Sequence, residues 1–208
     1  MLAALLHGVA LAFGLILPLG AQNIFVFNQG ASQPKFRGVI PVVITASLCD
    51  TLLILLAVLG VSIVVLTVPV LQVIFYSIGL IFLLYMGWSI WHTAPANVNN
   101  KEAAMPPKKQ IIFAMSVSLL NPHAILDTVG VIGTSSLSYT GTDKIVFTAS
   151  CIVVSWLWFL GLATAGRVIG SLDTKGAFLK LINKVSAIII FGVAFYLASQ
   201  LYVMIAAH

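Results

Sequence analysis

Residues 38–61 read GVIPVVITASLCDTLLILLAVLGV, an almost wholly apolar run that carries a single charged residue, Asp50, near its middle. A helix that crosses a bilayer needs about 20 consecutive residues that are mostly apolar. The run therefore predicts a transmembrane helix. Its one acid would lie deep in hydrocarbon, where an ionisable side chain is costly and by default suggests function.

The same apolar pattern recurs along the whole chain, which is 61% hydrophobic and only 7% charged. A soluble domain carries about 25% charged residues, so a globular core would not hide this much apolar surface. Further runs of spanning length lie at about residues 2–28, 68–91, 111–132, 145–165 and 185–206. The sequence predicts an all-α integral membrane protein with six transmembrane helices in one membrane domain, residues 1–208.

The remaining composition excludes several classes of protein. The formal net charge of +5 comes from basic residues in short loops between apolar runs, which is typical of membrane orientation and not of nucleic-acid binding. Cys49 and Cys151 lie in apolar runs without CxxC or Cys/His spacing, so neither a disulfide framework nor a zinc site is predicted. No cofactor is expected. The first run lacks a basic n-region and a cleavage site, and is interpreted as a retained helix.

Loop charges predict how the chain is oriented in the membrane. Short loops rich in Lys and Arg stay on the cytoplasmic side. The loops after the first, third and fifth runs hold most of the basic residues, and the other two hold only Lys144. Both termini are therefore predicted to lie outside. The basic residues of the three cytoplasmic loops are Lys35, Arg37, Lys101, Lys108, Lys109, Arg167, Lys175, Lys180 and Lys184.

The six predicted spans divide into two halves of three, about 1–92 and about 111–208, joined by a loop at 93–110. Because each half has an odd number of spans, the second half enters the membrane from the opposite side, which is an inverted repeat. The first span of each half is interrupted, at residues 18–23 (PLGAQN) and at residues 121–127 (NPHAILD). In transporters built this way, interrupted helices in matching positions indicate the substrate site.

Both interruptions expose backbone groups that can bind a ligand. Pro18 and Pro122 each lack an N–H group, which leaves helix carbonyls without a donor, and Gly20 further disfavours a continuous helix at the first break. Asn121 before Pro122 is a favourable helix start, and a helix N-terminus at membrane depth can hold a carboxylate. The alternative is that the two prolines only kink their helices.

Asp50 and Asp127 are the only acids inside the predicted spans. Helical spacing places small or polar residues on the face of each acid, so both are expected to face the interior. His123 lies one turn before Asp127 and could share a proton with it. The alternative is that Ser, Thr or Asn side chains satisfy each acid in a purely structural contact. The expected face of Asp50 comprises Ala46, Ser47, Leu53, Ile54 and Ala57, and that of Asp127 comprises His123, Gly130, Val131 and Thr134.

These motifs resemble those of the lysine exporter (LysE) family, in particular its branch that exports basic amino acids. Residues 18–23 are similar to the family's P-x-G-P-Q-N motif, although Ala21 stands where a second proline is often found. Residues 121–127 are similar to its N-P-H-x-x-x-D motif, and Asp50 matches an acid in the second span. The threonine/homoserine branch tends to carry N-P-K without the later acid, so His123 and Asp127 favour the basic branch.

The resemblance implies a transporter of the bacterial cytoplasmic membrane that exports arginine or lysine. Asp50 and Asp127 would meet the cationic end of the substrate, and Gln22, Asn23, Asn121 and His123 would complete the binding site. Asp127 beside His123 would couple export to proton entry.

Other functions and assembly states stay open from the sequence. Exporters of neutral amino acids or of a metal cation are the alternatives within the superfamily. An intramembrane aspartyl protease would show G-x-G-D, which is absent, so no enzyme is expected. Trp156 and Trp158 are interpreted as interface or packing aromatics. A homodimer is compatible with the small residues Ala4, Gly8 and Ala12.

Overall fold

The computed structural model describes residues 1–17, 20–60, 69–92, 105–120, 125, 128–172 and 177–206. Every regular element in these ranges is helical, so the all-α prediction is confirmed. A 3-10 turn (Phe36–Gly38) precedes the helix that begins at Ile40, and a π-helical segment (Thr128–Gly133) leads into one α-helical turn (Thr134–Ser136). The helices are α1 (Leu2–Ile16), α2 (Ala21–Ser32), α3 (Ile40–Val58), α4 (Pro69–His92), α5 (Pro107–Leu119), α6 (Gly141–Leu172) and α7 (Ala177–Ala206).

The helices follow the predicted apolar runs. Helices α3, α4, α6 and α7 each cover one run, whereas the first run is divided into α1 and α2, which are bent by 79° at the break. Among the described residues, α3 and residues Gly141–Ser171 are long and apolar enough to cross a membrane, and there is a third span if the bent pair α1 and α2 crosses as one. The arrangement of six spans as an inverted repeat stays a prediction.

Two helices extend past the ends of the predicted apolar runs and include basic residues that the sequence predicts in loops. Helix α5 begins at Pro107, so Lys108 and Lys109 lie in its first turn, within the range 93–110. Helix α6 continues through Arg167 to Leu172. The backbone geometry of proline suits the first helical turn. Long basic side chains can reach the membrane interface from within a helix, so a charged residue need not end a helix.

Helix α6 is the centre of the described structure. It packs against α1, α2 and α3, while α5 and the π-helical segment also pack against α3, and α7 packs mainly against α4. Glycines allow the closest approaches. A Cβ atom at Gly30 of α2 would overlap the backbone of Ala163, and one at Gly166 of α6 would overlap the carbonyl of Phe27.

The small residues near the N-terminus find their partner inside the chain. Ala4, Gly8 and Ala12 are the buried residues of α1, and a Cβ atom at Gly8 would overlap Ser150 and the carbonyl of Phe147 on α6. Close helix contact through small residues is common in membranes. Because α6 covers this face, the small residues of α1 are not available for contact with a second copy of the chain.

Helix α3 has one face toward the interior and one toward the surroundings. Large apolar side chains are exposed at Ile44, Leu48, Leu52, Leu55 and Leu59, a spacing that forms one helical stripe. In water such a stripe would be an aggregation liability, whereas lipid solvates it. The opposite face is buried against α5, α6 and the π-helical segment, and it carries Asp50.

A buried polar cluster ties the start of α5 to the chain just before α3 and to the end of α2. Nε2 of Gln110 donates to the carbonyls of Met105 (2.8 Å) and Gly38 (2.9 Å). Nε2 of Gln33 donates to the same Met105 carbonyl at 2.9 Å, and Arg167 donates from α6 to the carbonyl of Gln33 at 3.2 Å. These bonds satisfy backbone carbonyls that no helix pairs.

Candidate functional site

Asp50 lies in the middle of α3 on the face that the sequence predicted. The residues expected beside it, Ala46, Ser47, Leu53, Ile54 and Ala57, are all buried, so the prediction of an inward-facing acid is confirmed. The side chain of Asp50 itself is half-buried. A carboxylate at this depth needs partners, because an unpaired charge in hydrocarbon costs several kcal/mol, about 2.5–3.5 on insertion scales.

Each carboxylate oxygen of Asp50 accepts a hydrogen bond from a different helix. Nε2 of Gln22, in the first turn of α2, donates to Oδ1 at 3.1 Å, and the hydroxyl of Ser155 on α6 donates to Oδ2 at 2.9 Å. Both donors are neutral. Within the described residues, no Lys or Arg forms an ion pair with Asp50. The site therefore joins three helices around a negative group whose partners carry no positive charge.

The break between α1 and α2 positions Gln22. Gly20 has extended backbone (φ −74°, ψ 172°), and its carbonyl accepts the first helical bond of α2 from Ile24 at 3.1 Å. The N–H groups of the first helical turn have no partner within their own helix and carry a partial positive charge. The break thus places helix-start N–H groups, Gln22 and Asp50 in one region. Pro18 lies outside the described residues.

Asn23 differs from its neighbour Gln22 in what it contacts. Its side chain is 5% exposed. Its Nδ2 donates to the carbonyl of Ile16, the last residue of α1, at 2.7 Å, and its Oδ1 accepts a bond from Nε1 of Trp158 at 3.3 Å. Both ends of the amide are therefore bonded within the protein, across the helix break and onto α6.

Sequence reasoning missed the contributions of α6. Ser155 was not singled out, and Trp158 was interpreted as an interface or packing aromatic, whereas its N–H group bonds Asn23. The neighbouring Trp156 donates to the hydroxyl of Thr51 at 3.1 Å. The available signal was the spacing of Ser155 and Trp158, since residues three apart share a helix face. Only the packing of α6 reveals which residues that face meets.

The second predicted cluster, Asn121, Pro122, His123 and Asp127, lies outside the described residues. The chain that follows it, Thr128–Gly133, packs against α3, and Ile132 is buried there beside Ile54 and Val58.

Two of the residues expected on the face of Asp127, Gly130 and Thr134, are exposed, whereas Ile132, Gly133 and Ser136 are buried. The segment Thr128–Gly133 is π-helical, with bonds from residue i to i+5, so α-helical counting in threes and fours does not apply along it.

One further polar group lies close to Asp50 in the sequence. The side chain of Ser47, one turn earlier on α3, is fully buried, and its hydroxyl oxygen has no hydrogen-bond partner among the described residues. Buried hydroxyls are normally paired, so such a group marks a place where a ligand or water would be stabilised. Within the described ranges, no three His, Cys, Asp or Glu side chains are grouped as a metal site would require.

Comparisons with known proteins agree on one family. The family model described as LysE type translocator matches residues 13–201. A protein named "Putative amino-acid transporter YisU" from Bacillus subtilis (strain 168) is 53% identical over 199 residues, covering 96% of this chain and 90% of the relative. No solved structure matches the chain.

Two more distant relatives carry a more specific name. "Arginine exporter protein ArgO" from Serratia proteamaculans (strain 568) is 32% identical over 208 residues, covering 96% of this chain and 98% of the relative. The protein of the same name from Klebsiella pneumoniae (strain 342) is 32% identical over 198 residues, covering 93% of this chain and 92% of the relative.

Proposed function

Because the chain belongs to the family of LysE type translocators, we propose that it is a secondary transporter that exports basic L-amino acids, arginine or lysine or both, from the cytoplasm. Membership makes it an amino-acid exporter and a multi-pass protein of the bacterial inner membrane. The arginine exporters among its relatives support the basic substrate. The observation that carries the proposal is Asp50, a carboxylate inside the helix bundle whose hydrogen-bond donors among the described residues, Gln22 and Ser155, are neutral.

The chemistry of the substrate matches this region. A basic amino acid has a cationic tail and a zwitterionic head, so it needs an anionic partner at one end and a carboxylate-binding group at the other. Asp50 would bind the tail, with Gln22 beside it. The helix starts after Pro18 and Pro122, with Asn121, would receive the carboxylate, as helix N-termini do. In this proposal Asp127 is a second partner for the cation.

Proton entry would offset the electrical cost of export. Moving one positive charge outward against an inside-negative potential costs about 2.3 kcal/mol per 100 mV. Exchange for one entering proton makes the cycle electroneutral. A carboxylate that binds either the substrate cation or a proton, but not both, provides this coupling, and Asp127 beside His123 is the proposed pair. Rocking of the two halves about the site would give alternating access, with both termini outside.

Counterflow of labelled arginine into proteoliposomes tests the central role of Asp50. The change is Asp50→Asn, which keeps the shape and removes the charge. The matched control is Asp143→Asn, because Asp143 is a half-exposed acid whose partner is the terminal amino group of Met1, at 2.8 Å. We expect counterflow to fall at least about tenfold in the first variant and to stay near wild type in the second. Equal rates for both variants would exclude Asp50 as the cation-binding group.

The coupling ion and the alternative substrates need separate measurements. A pH gradient whose acidic side is opposite the side on which arginine is loaded should drive uphill arginine movement. If it does not, the proton is not the coupling ion. Neutral amino acids and divalent metal ions are tested as competitors in the same counterflow. If a neutral amino acid or a metal ion competes in this assay and unlabelled arginine and lysine do not, that competitor is the substrate and the proposed basic amino acid is not.

A further inference from the structure

The carbonyl of Ile16 ends α1 next to the helix break, and its partner comes from beyond that break. Carbonyls in the last turn of a helix have no intrahelical donor, and inside a membrane such a group must be satisfied by the protein or by cavity water. Nδ2 of Asn23 supplies the donor at 2.7 Å. The bond joins the end of α1 to the first turn of α2, so it holds the two helices at the break.

Trp158 contacts both sides of this break from α6. Its ring packs edge-on against Phe13 of α1, with ring centroids 6.3 Å apart, and its Nε1 donates to Oδ1 of Asn23 on α2. An amide that is bonded at both ends has a fixed orientation, so Trp158 also determines which atom of Asn23 faces Ile16. An edge-to-face aromatic pair adds a directional contact of its own.

The bonds of Asn23 also affect Asp50, because the residue next to Asn23, Gln22, binds the Asp50 carboxylate. Gln22 precedes Asn23 in the first turn of α2 and donates to Oδ1 of Asp50. Ser155 lies one turn before Trp158 on α6 and donates to Oδ2. Fixing Asn23 to α6 therefore fixes the distance between the two donors that bind the Asp50 carboxylate.

We propose that Asn23 and Trp158 form a brace across the helix break and are positioning residues of the site, not substrate ligands. This inference replaces the sequence-based expectation that Asn23 binds the substrate. It rests on the proposed function only where transport is the readout, because the brace itself is a property of the folded protein.

A double-mutant cycle tests the brace without any substrate. The variants are Asn23→Ala, Trp158→Phe and the double substitution, compared by thermal unfolding of the detergent-solubilised protein. Phe keeps an aromatic ring at this position and loses the N–H group together with the five-membered ring. We expect Trp158→Phe to lower the unfolding temperature less in the Asn23→Ala variant than in the wild type, because the Trp158 bond no longer has an acceptor there. Additive shifts would overturn the brace.

Trp156→Phe is the matched control, because it removes the same N–H group from the neighbouring residue, where the partner is Thr51. Its shift should add to that of Asn23→Ala. If Asn23→Ala gives no folded protein, Trp158→Phe and Trp156→Phe alone decide, and equal effects of the two on stability and transport would reject the proposal.

The KM of transport distinguishes a positioning role of Asn23 from direct substrate binding by Asn23. We expect Trp158→Phe to raise the arginine KM about fivefold, the factor for one neutral hydrogen bond, and Trp156→Phe to leave it nearly unchanged. In the double variant the KM should equal that of Asn23→Ala. Multiplicative KM effects would mean that Asn23 binds substrate independently of Trp158. If wild-type protein moves no basic amino acid, the proposed function fails, and the unfolding cycle still tests the brace.

Discussion

The hydroxyl of Ser155 on α6 lies 2.9 Å from Oδ2 of Asp50 on α3, so a neutral group in the fifth predicted span binds the only described acid of the membrane interior. The opposite carboxylate oxygen is bonded to Gln22 on α2. Asp50 thus connects three helices, α2, α3 and α6, and α6 is far from the other two in the sequence. A substrate cation bound at Asp50 would act on all three helices, which is what a change of access between the two sides of a membrane requires.

Removal of the Ser155 hydroxyl should weaken both the fold and the site. We expect Ser155→Ala to lower the free energy of unfolding by about 1.5–3 kcal/mol, because a hydrogen bond to a charged group is lost. Ser155→Thr keeps a hydroxyl and should retain most of the stability. The measurement is chemical or thermal unfolding in detergent. Ser150→Ala is the control, since the Ser150 hydroxyl bonds a carbonyl of its own helix, that of Phe147; equal losses in the two Ala variants would contradict the prediction.

The geometry at Asp50 predicts a preference for arginine over lysine. Its two oxygens accept bonds from two separate donors, and a guanidinium group can replace both with parallel N–H groups, whereas an ammonium group acts as a point charge. We expect the KM for lysine to exceed that for arginine by about five- to tenfold. Competition counterflow with the two amino acids measures the ratio. In Asp50→Asn the ratio should approach one, and an unchanged ratio would place the discrimination elsewhere.

The contact between α2 and α6 should not tolerate a methyl group. A Cβ atom at Gly166 would overlap the carbonyl of Phe27, which is backbone and has little freedom to move. We expect Gly166→Ala to destabilise the protein by about 1–3 kcal/mol, the usual cost of overpacking.

Gly161 provides the matched control on the same helix. Nothing lies within 4 Å of a Cβ atom built there, so Gly161→Ala gains helix propensity without a clash. Unfolding temperatures of the two purified variants should shift in opposite directions. A stable Gly166→Ala variant would mean that α2 and α6 are farther apart than described here.

Arg167 should be sensitive to the loss of its forked shape as well as to the loss of its charge. Its Nη1 and Nη2 atoms donate to the carbonyls of Gln33 (3.2 Å) and Pro34 (3.3 Å), just after α2. Arg167→Lys keeps the positive charge but has no forked group to bond both carbonyls. We expect a loss of about 1 kcal/mol in the free energy of unfolding. Lys109→Arg, an exposed exchange in the opposite direction, should change stability little.

Much of the fold was predictable, because hydrocarbon imposes a simple rule on sequence. Apolar runs become helices, since backbone groups in lipid have to be bonded within their own segment. The faces of α3 followed from helical spacing, because that helix is regular throughout. The same spacing does not apply along Thr128–Gly133, because that segment is π-helical, and Gly130 and Thr134 are exposed. The local sequence does not predict a π-helix, because packing against α3, a tertiary contact, offsets the unfavourable free energy of the π-helical backbone.

The sequence by itself determined that the chain is helical, that it lies in a membrane, and that Asp50 faces the interior, because each of these follows from composition and from contacts within one helix. Only the tertiary structure decided which groups satisfy Asp50 and Asn23. Their partners Ser155 and Trp158 are 105 and 135 positions away along the chain. The packing of α6 against α3 and α2 brings these residues together, and the approach to α2 depends on three glycines, Gly30, Gly166 and Gly170, that let the two backbones touch.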